Sequence, residues 1–148
     1  MTPAIALGSR PTRPLSQSDH TPFMTSAEQF IAVVDDDILV LRALQRLLLA
    51  WSHRVHTFEN AKSFLASLQY ERPECLIVDL HMPEMDGLEL QRHLKQSGVD
   101  IPTIVITAEA QGDTSQRCKS AGAVALLTKP LEDRSLLAAI DAARQHRN

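Results

Sequence analysis

The stretch FIAVVDDDILVLRALQRLL, residues 30–48, sets three consecutive aspartates between two kinds of hydrophobic pattern. The apolar run at residues 30–34 predicts a strand that is covered on both faces, because such strands carry few polar residues. The leucines after the aspartates recur at helical spacing and predict an amphipathic helix. One aspartate at this point would be an ordinary helix cap, so the other two indicate a functional site.

The same order of strand and then helix recurs along the rest of the chain. Apolar runs predict strands at residues 30–34, 55–58, 75–78, 103–106 and 124–127. A helical pattern follows each run. Five such units predict an α/β fold, a doubly wound parallel sheet of five strands with helices on both faces. The second run, in RVHTF, alternates polar and apolar residues and therefore suits an edge of the sheet.

Local signals delimit the helices. Asn60 precedes the second helix as a cap. Asp86 and Glu89 form a variant of the capping box at the start of the third helix, which Gly98 ends. The first helix is expected to bury one stripe of side chains, made of Ile38, Leu41, Leu44, Leu48 and Trp51.

The composition fits one domain with some chain to spare. Of 148 residues, 44% are hydrophobic, and the net charge of −3 gives no sign of binding to nucleic acid or to a membrane. Residues 1–26 hold four prolines and no hydrophobic period, so we expect a disordered tail ahead of a single domain at residues 27–148. No apolar run reaches the roughly 20 residues of a membrane-spanning helix. Cys75 and Cys118 lack the spacing of a metal site and fit free thiols in a reducing compartment, so we expect a cytoplasmic protein.

Polar residues follow four of the predicted strands at the point where each strand ends. The carboxyl ends of parallel strands meet at one edge of the sheet, where α/β proteins bind ligands. Asp37, the third aspartate of the run, is expected to cap the first helix. The cluster expected at this edge contains Asp35, Asp36, Asp79, Thr107 and Lys129.

The charges of this cluster imply a bound cation. Two like charges about 4 Å apart repel by about 4 kcal/mol at an effective dielectric near 20. Lys129 neutralises one of the three carboxylates, and a divalent cation matches the negative charge that remains. Oxygen ligands at an open edge suit Mg²⁺ or Mn²⁺ better than zinc. A Mg²⁺ ion beside a carboxylate indicates phosphoryl chemistry with Asp79 as the nucleophile, assisted by Lys129 and Thr107.

Four motifs occur in an order that is far more specific than any one of them. They are VVDDD, LIVDLHMPEMDG, IVITAE and LLTKP. Through them, residues 30–146 resemble the receiver domain of bacterial two-component response regulators. The resemblance implies the flavodoxin-like fold of CheY, a three-layer αβα arrangement with strand order 2-1-3-4-5.

The resemblance also implies roles for the matching residues. Asp79 would be the phosphoacceptor, Asp36 a direct metal ligand and Asp35 a ligand chiefly through water. The backbone carbonyl of His81 would complete the protein's share of the metal shell.

Other roles concern the phosphoryl group itself. Thr107 would be the switch hydroxyl and Lys129 the cation that pairs with the phosphoryl group, with a cis bond between Lys129 and Pro130. His81 and Glu109 lie two residues beyond Asp79 and Thr107, where they would tune the lifetime of the phosphoryl group by guiding or blocking water.

As a receiver, the protein would take a phosphoryl group from a sensor histidine kinase or a histidine phosphotransfer protein in a Mg-dependent reaction. It would catalyse only its own phosphorylation and dephosphorylation. The sequence ends just after the last helical pattern, so we expect a stand-alone receiver without direct contact to nucleic acid. It would signal through a downstream protein target or pass the phosphoryl group on. The resemblance also allows a homodimer through the fourth helix, fifth strand and fifth helix.

Two other functions compete with this interpretation. A haloacid-dehalogenase-like phosphatase also uses an aspartate nucleophile with Mg²⁺. It needs a second aspartate two residues later, where this chain has His81. A pseudo-receiver would only bind partners, but the complete set of acidic residues, threonine and lysine argues against it.

Two leucines depart from the family pattern. Leu126 stands where many receivers carry Tyr or Phe, and Leu131 replaces a frequent Phe. Leucine has less area to move than an aromatic ring, so we expect a weaker or differently routed switch. The fourth helix, at about residues 113–121, has little apolar anchorage beyond Cys118 and Ala121, so we expect it to be the most mobile helix.

Overall fold

The computed structural model describes residues 29–147. The predicted tail, residues 1–26, lies outside the described residues, so its disorder stays a prediction. The strands are β1 (Ile31–Val34), β2 (Val55–Phe58), β3 (Cys75–Asp79), β4 (Thr103–Thr107) and β5 (Ala123–Thr128). The helices that alternate with them are α1 (Ile38–Ala50), α2 (Ala61–Ser67), α3 (Gly87–Gln96), α4 (Thr114–Ser120) and α5 (Asp133–Arg147).

All neighbouring strands are parallel, and their order across the sheet is β2-β1-β3-β4-β5. This order confirms the predicted doubly wound topology, 2-1-3-4-5. β2 lies at one edge and is half-buried along its length, as its alternating sequence predicted. β1, β3 and β4 are buried throughout, because helices cover both of their faces.

Two hydrophobic clusters fill the space on the two sides of the sheet. On one side, α1 and α5 pack on the sheet through buried side chains such as Leu44 and Ile140. On the other side, α2, α3 and α4 contribute Phe64, Leu90 and Cys118 to the second cluster. The result is the predicted three-layer αβα arrangement.

The prediction that α1 buries a stripe of five side chains is wrong at both ends of the helix. The three leucines of the stripe are buried, but Ile38 is 44% exposed and Trp51 is 52% exposed. Ile38 is the first helical residue, and the helix ends one residue before Trp51. A turn with φ +67 at Ser52 then redirects the chain, so only the middle of the stripe faces the sheet.

Side-chain caps begin three helices as predicted. Asp37 and Asn60 accept hydrogen bonds from backbone N–H groups in the first turns of α1 and α2, at 2.9 and 2.8 Å. Asp86 and Glu89 each accept the other's backbone N–H, at 2.8 and 2.9 Å, which completes the capping box of α3. Gly98 follows α3 with φ +73, a conformation that favours glycine.

α4 is shorter than the predicted range by one residue at each end. Asp113 precedes it without making a side-chain cap hydrogen bond, so its first turn lacks the support that the other caps provide. Cys118 is its buried residue. The expected mobility of this helix stays a prediction.

Within residues 29–147, none of the helices combines the length and the apolar character that crossing a bilayer requires.

Candidate functional site

The carboxyl ends of β1 and β3 bring three carboxylates together. Asp79 is the last residue of β3, and Asp35 and Asp36 follow β1, its neighbour in the sheet. One carboxylate oxygen from each of these residues lies within 4.8 Å of the others. Asp35 and Asp79 are 0% and 5% exposed, whereas Asp36 faces solvent. The cluster therefore has a buried floor and an open side.

Lys129 contacts this cluster directly. Its Nζ lies 3.2 Å from Asp35 Oδ2 and 3.1 Å from Asp79 Oδ1, so one ammonium group bridges two buried carboxylates. The backbone N–H of Lys129 donates to the carbonyl of Thr107 at 2.7 Å, which ties the lysine to the end of β4. The Lys129–Pro130 peptide bond is cis, as predicted. A single positive charge thus faces three carboxylates.

The pKa values of these groups reflect that imbalance. Burial raises the pKa of Asp79 above its ordinary value, and the charge of Asp35 raises it further, against the opposing effect of Lys129. Burial also raises the pKa of Asp35, although the backbone N–H of Asp37 and the charge of Lys129 lower it. Burial by itself lowers the pKa of Lys129, but its hydrogen bond to Asp79 and the two carboxylate charges outweigh burial and raise it. The repulsion between Asp35 and Asp79 and the raised pKa of Lys129 both indicate that negative charge exceeds positive charge in this cluster.

The donor set fits a hard divalent cation. All three candidate ligands are carboxylate oxygens, and Asp35 is held in place because its Oδ1 accepts the backbone N–H of Asp37 at 2.9 Å. Oxygen ligands with an open side, where water can complete the shell, suit Mg²⁺ or Mn²⁺. His81 lies exposed in the loop after β3, and the role of its carbonyl in the metal shell stays a prediction.

The hydroxyl of Thr107 is engaged with its own loop. Thr107 is the buried last residue of β4, which neighbours β3 in the sheet. Its Oγ1 donates to the backbone carbonyl of Glu109 at 2.8 Å and accepts the Glu109 N–H at 3.3 Å. Thr107 therefore lies at the expected edge, but its hydroxyl serves the loop rather than the acidic cluster. A hydrogen bond from this hydroxyl to a phosphoryl group would require its bond to Glu109 to break.

Leu126 lies on β5, beside Val105 of β4, and is half-buried. It packs against the cluster on the side of α2, α3 and α4, whereas its neighbour Leu127 packs against the opposite cluster. Leu126 also lines a cavity of about 220 Å³, together with Leu131 at the approach to α5. Both leucines at the atypical positions thus border open space, and the weaker switch stays a prediction.

One residue beside the cluster has no role in the sequence-based interpretation. Gly87, the first residue of α3, is buried and lies against the backbone of Asp79 and Leu80. The sequence signal for it is the Asp-Gly pair of MPEMDG, which by itself indicates only the start of a helix.

Comparison with known proteins places this geometry in context. Residues 31–141 match the family described as the response regulator receiver domain. The response regulator protein TodT of Pseudomonas putida is 39% identical over 120 residues, which cover 81% of this chain and 53% of that protein. The transcriptional regulatory protein FixJ of Rhizobium meliloti is 35% identical over 116 residues, which cover 78% of this chain and 57% of that protein. The chain thus spans about half the length of these curated relatives.

Solved structures show the same fold. The crystal structure of FixJ-N matches with a TM-score of 0.75 at 34% identity, over 80% of this chain and 95% of that one. The Vibrio cholerae chemotaxis protein CheY4 matches with a TM-score of 0.72 at 27% identity, over 78% of this chain and 98% of that one. These matches confirm the CheY-like fold that the four motifs implied.

Proposed function

Because this chain belongs to the response regulator receiver family of two-component systems, we propose that Asp79 accepts a phosphoryl group from a phosphohistidine. The observation that carries the proposal is the cluster of three carboxylate oxygens within 4.8 Å. Asp79 is the member of this cluster at the end of β3, the middle strand of the sheet. It lies beside the ammonium group of Lys129 and beside solvent-facing Asp36. That position gives it the environment that a phosphoacceptor needs.

The proposed reaction is an in-line transfer. An oxygen of the Asp79 carboxylate forms a bond to phosphorus while the bond from phosphorus to the donor's imidazole nitrogen breaks. The imidazole leaves with that electron pair and takes up a proton from water. Lys129, at 3.1 Å from Asp79 Oδ1, is placed to pair with an oxygen of the transferred group. A Mg²⁺ or Mn²⁺ ion held by Asp35, Asp36 and Asp79 would supply the remaining positive charge.

The response to phosphorylation would begin at Thr107. Its hydroxyl would leave the carbonyl of Glu109 and donate to the phosphoryl group, which changes the loop between β4 and α4. Leu126, with less area than an aromatic ring, would follow this change weakly. His81 and Glu109, which are exposed and lie two residues beyond Asp79 and Thr107, would set how fast water removes the phosphoryl group.

The donor would be a sensor histidine kinase or a histidine phosphotransfer protein, and the domain would catalyse only its own phosphorylation and dephosphorylation. Its output would be a downstream protein target or onward phosphotransfer, in the cytoplasm and without direct contact to nucleic acid or membrane. The net charge of −3 supports the part of this proposal that excludes contact with nucleic acid and membrane. A homodimer through α4, β5 and α5 is part of the proposal, and its mass in solution tests it. Action as a stand-alone receiver is proposed as well, and the mass of the native protein tests that.

Phosphorylation by acetyl phosphate with Mg²⁺, followed by mass spectrometry of peptides, tests the proposed acceptor. We expect a phosphoryl adduct on Asp79 in the wild type and none in Asp79→Asn. Asp37→Asn is the matched control, because it removes a neighbouring carboxylate whose observed contact is the cap of α1. An adduct on another residue, or an adduct that persists in Asp79→Asn, would refute the assignment. Multiple turnover of a generic phosphomonoester would favour the phosphatase alternative instead.

A further inference from the structure

We propose that Gly87 is a positioning residue for Asp79. Because Gly87 has no side chain, the first turn of α3 lies directly against the backbone that carries the acceptor carboxylate. This inference rests on the proposed function of Asp79. It assigns to Gly87 a part in the phosphorylation reaction that goes beyond beginning a helix.

The space around Gly87 leaves no room for a side chain. A Cβ atom built on this residue would lie 2.6 Å from the carbonyl oxygen of Asp79, 3.1 Å from Leu80 Cα and 3.2 Å from the carbonyl carbon of Asp79. An ordinary contact begins near 3.4 Å, so the first of these distances is about 0.8 Å too short. All three neighbours are backbone atoms and cannot rotate away as a flexible side chain could. A methyl group must therefore displace either Asp79 or α3.

The backbone of Asp79 and Leu80 is fixed from both sides. The N–H of Gly87 donates to the carbonyl of Leu80 at 2.9 Å, which ties this segment to α3. The N–H of Leu80 donates to the carbonyl of Ile106 at 2.7 Å, which ties it to β4. The acceptor residue thus sits between a helix and a strand, and a push from one is resisted by the other.

The start of α3 is also fixed. The capping box of Asp86 and Glu89 holds its first turn, and Leu88 and Leu90 are buried in the core cluster beneath it. Retreat of the helix from Asp79 would disrupt those contacts. We therefore expect the displacement that a methyl group imposes to be shared between the first turn and Asp79.

Gly87 differs in this respect from the other glycines of the described chain. Gly98, Gly112 and Gly122 have positive φ angles and nothing within 4 Å of an added Cβ, so their role is conformational. Gly87 is not among the residues with positive φ, and alanine suits a helix there. The role of Gly87 therefore depends on its lack of a side chain and not on its backbone conformation.

The substitution Gly87→Ala tests the proposal directly. A misplacement of about 1 Å in a reacting group can slow a reaction by about 100-fold, so we expect the phosphorylation rate at saturating Mg²⁺ to fall at least tenfold. The atoms nearest the added methyl group belong to Asp79 and Leu80, whereas Asp35 and Asp36 follow β1. Asp79 supplies one of the three candidate ligands, so we expect Mn²⁺ affinity to fall by a smaller factor than the phosphorylation rate does. A rate within threefold of the wild type would overturn the proposal, and so would an equal loss of rate and Mn²⁺ affinity.

Gly98→Ala is the matched control at the other end of the same helix. It introduces strain at a positive φ angle in open space, so it should lower the melting temperature and leave the phosphorylation rate unchanged. If it slows phosphorylation as much as Gly87→Ala does, general destabilisation explains both and the proposal is wrong.

A second substitution separates positioning from simple damage to the fold. Glu89→Ala removes half of the capping box, so the first turn of α3 can yield to the methyl group. Added to Gly87→Ala, it should recover at least threefold of the lost rate, whereas a purely structural role predicts a further loss. If Gly87→Ala alone does not fold, the double variant is compared with Glu89→Ala, and equal rates would overturn the proposal.

The wild type keeps the two proposals apart. If its Asp79 is not phosphorylated, the proposed function is wrong and this inference falls with it. If wild-type Asp79 is phosphorylated and the Gly87→Ala variant is phosphorylated equally fast, only the role of Gly87 is wrong.

Discussion

A buried carboxylate stands at each end of β3, and the two have different charge environments. Glu74 precedes the strand at the amino edge of the sheet, and Asp79 ends it at the carboxyl edge. Arg144 holds Glu74 through two bonds, from Nε to Oε1 and from Nη2 to Oε2, both at 3.1 Å. Asp79 instead shares the single ammonium group of Lys129 with Asp35.

The two environments separate a structural pair from a binding site. At the amino edge, one guanidinium satisfies both oxygens of one carboxylate, so the pair needs no further ion and supports the fold. At the carboxyl edge, one lysine faces three carboxylates, and their repulsion falls only when another positive charge arrives. Counting the charges around each buried carboxylate thus indicates which end of the strand is built to bind.

The strongest consequence concerns the open side of the carboxyl edge. Asp36→Asn removes one of the three carboxylates, and we expect phosphorylation by acetyl phosphate at millimolar Mg²⁺ to slow at least about 100-fold, because the cation is no longer held. Timed mass spectrometry measures this rate. Asp37→Asn makes the same change of charge one residue later and should stay within about twofold of the wild type. Equal rates in Asp36→Asn and the wild type would mean that the surplus of negative charge has no role in the reaction.

The amino edge should respond in stability rather than in phosphorylation. Arg144→Met leaves Glu74 buried without its partner, which costs about 3–5 kcal/mol for a fully buried pair. The Arg144 side chain is 43% exposed and water screens the charge. We therefore expect the free energy of unfolding, measured by urea denaturation, to fall by about 2 kcal/mol. The phosphorylation rate should not change. Replacing Glu74 by Met as well should restore more than half of the loss, and a neutral effect of Arg144→Met alone would remove the structural role of this pair.

Neutralising Asp79 and neutralising Glu74 should change the free energy of unfolding in opposite directions. Without metal, Asp79→Asn removes a buried charge and its repulsion from Asp35, so it should raise the free energy of unfolding by about 1 kcal/mol. Glu74→Gln removes the charge that pairs with Arg144 and should lower the free energy of unfolding. Urea denaturation in the presence of a chelator measures both, and a change of the same sign in the two variants would undo the distinction.

A smaller effect concerns pH at the amino edge. His53 Nδ1 lies 3.1 Å from Arg144 Nη2, and burial, followed by the charge of Arg144, lowers the His53 pKa below its ordinary value of 6.5. The unfolded chain therefore takes up a proton near this pH that the folded protein does not. The stability that this difference in proton binding contributes is present above about pH 6.5 and is lost as the pH falls below that value. We expect His53→Gln to lose less stability than the wild type between about pH 7 and about pH 5, and identical slopes would disprove this linkage.

The sheet order and the caps were predictable because they depend on patterns that are local in the sequence. Strand and helix alternate at regular spacing, and parallel strands direct the residues after β1 and β3 to one edge. Asp37, Asn60 and Asp86 cap helices through atoms only two or three residues away. Such features require no knowledge of how distant elements pack.

Contacts between distant elements could not be predicted in this way. Glu74 and Arg144 are 70 residues apart and meet only when α5 packs against the sheet. The hydroxyl of Thr107 bonds to Glu109 because of the shape of one loop, which a threonine at a strand end does not reveal. The missing side chain of Gly87 matters only because α3 lies so close to Asp79.

Calorimetric titration with Mg²⁺ tests most directly whether a divalent cation fills the charge deficit at the carboxyl edge of β3. We predict one ion per chain in the wild type and binding at least about tenfold weaker in Asp36→Asn. Glu74→Gln, at the opposite end of the same strand, should bind as the wild type does. Absence of binding in the wild type, or equal affinity in Asp36→Asn, would show that the three carboxylates do not form a metal site.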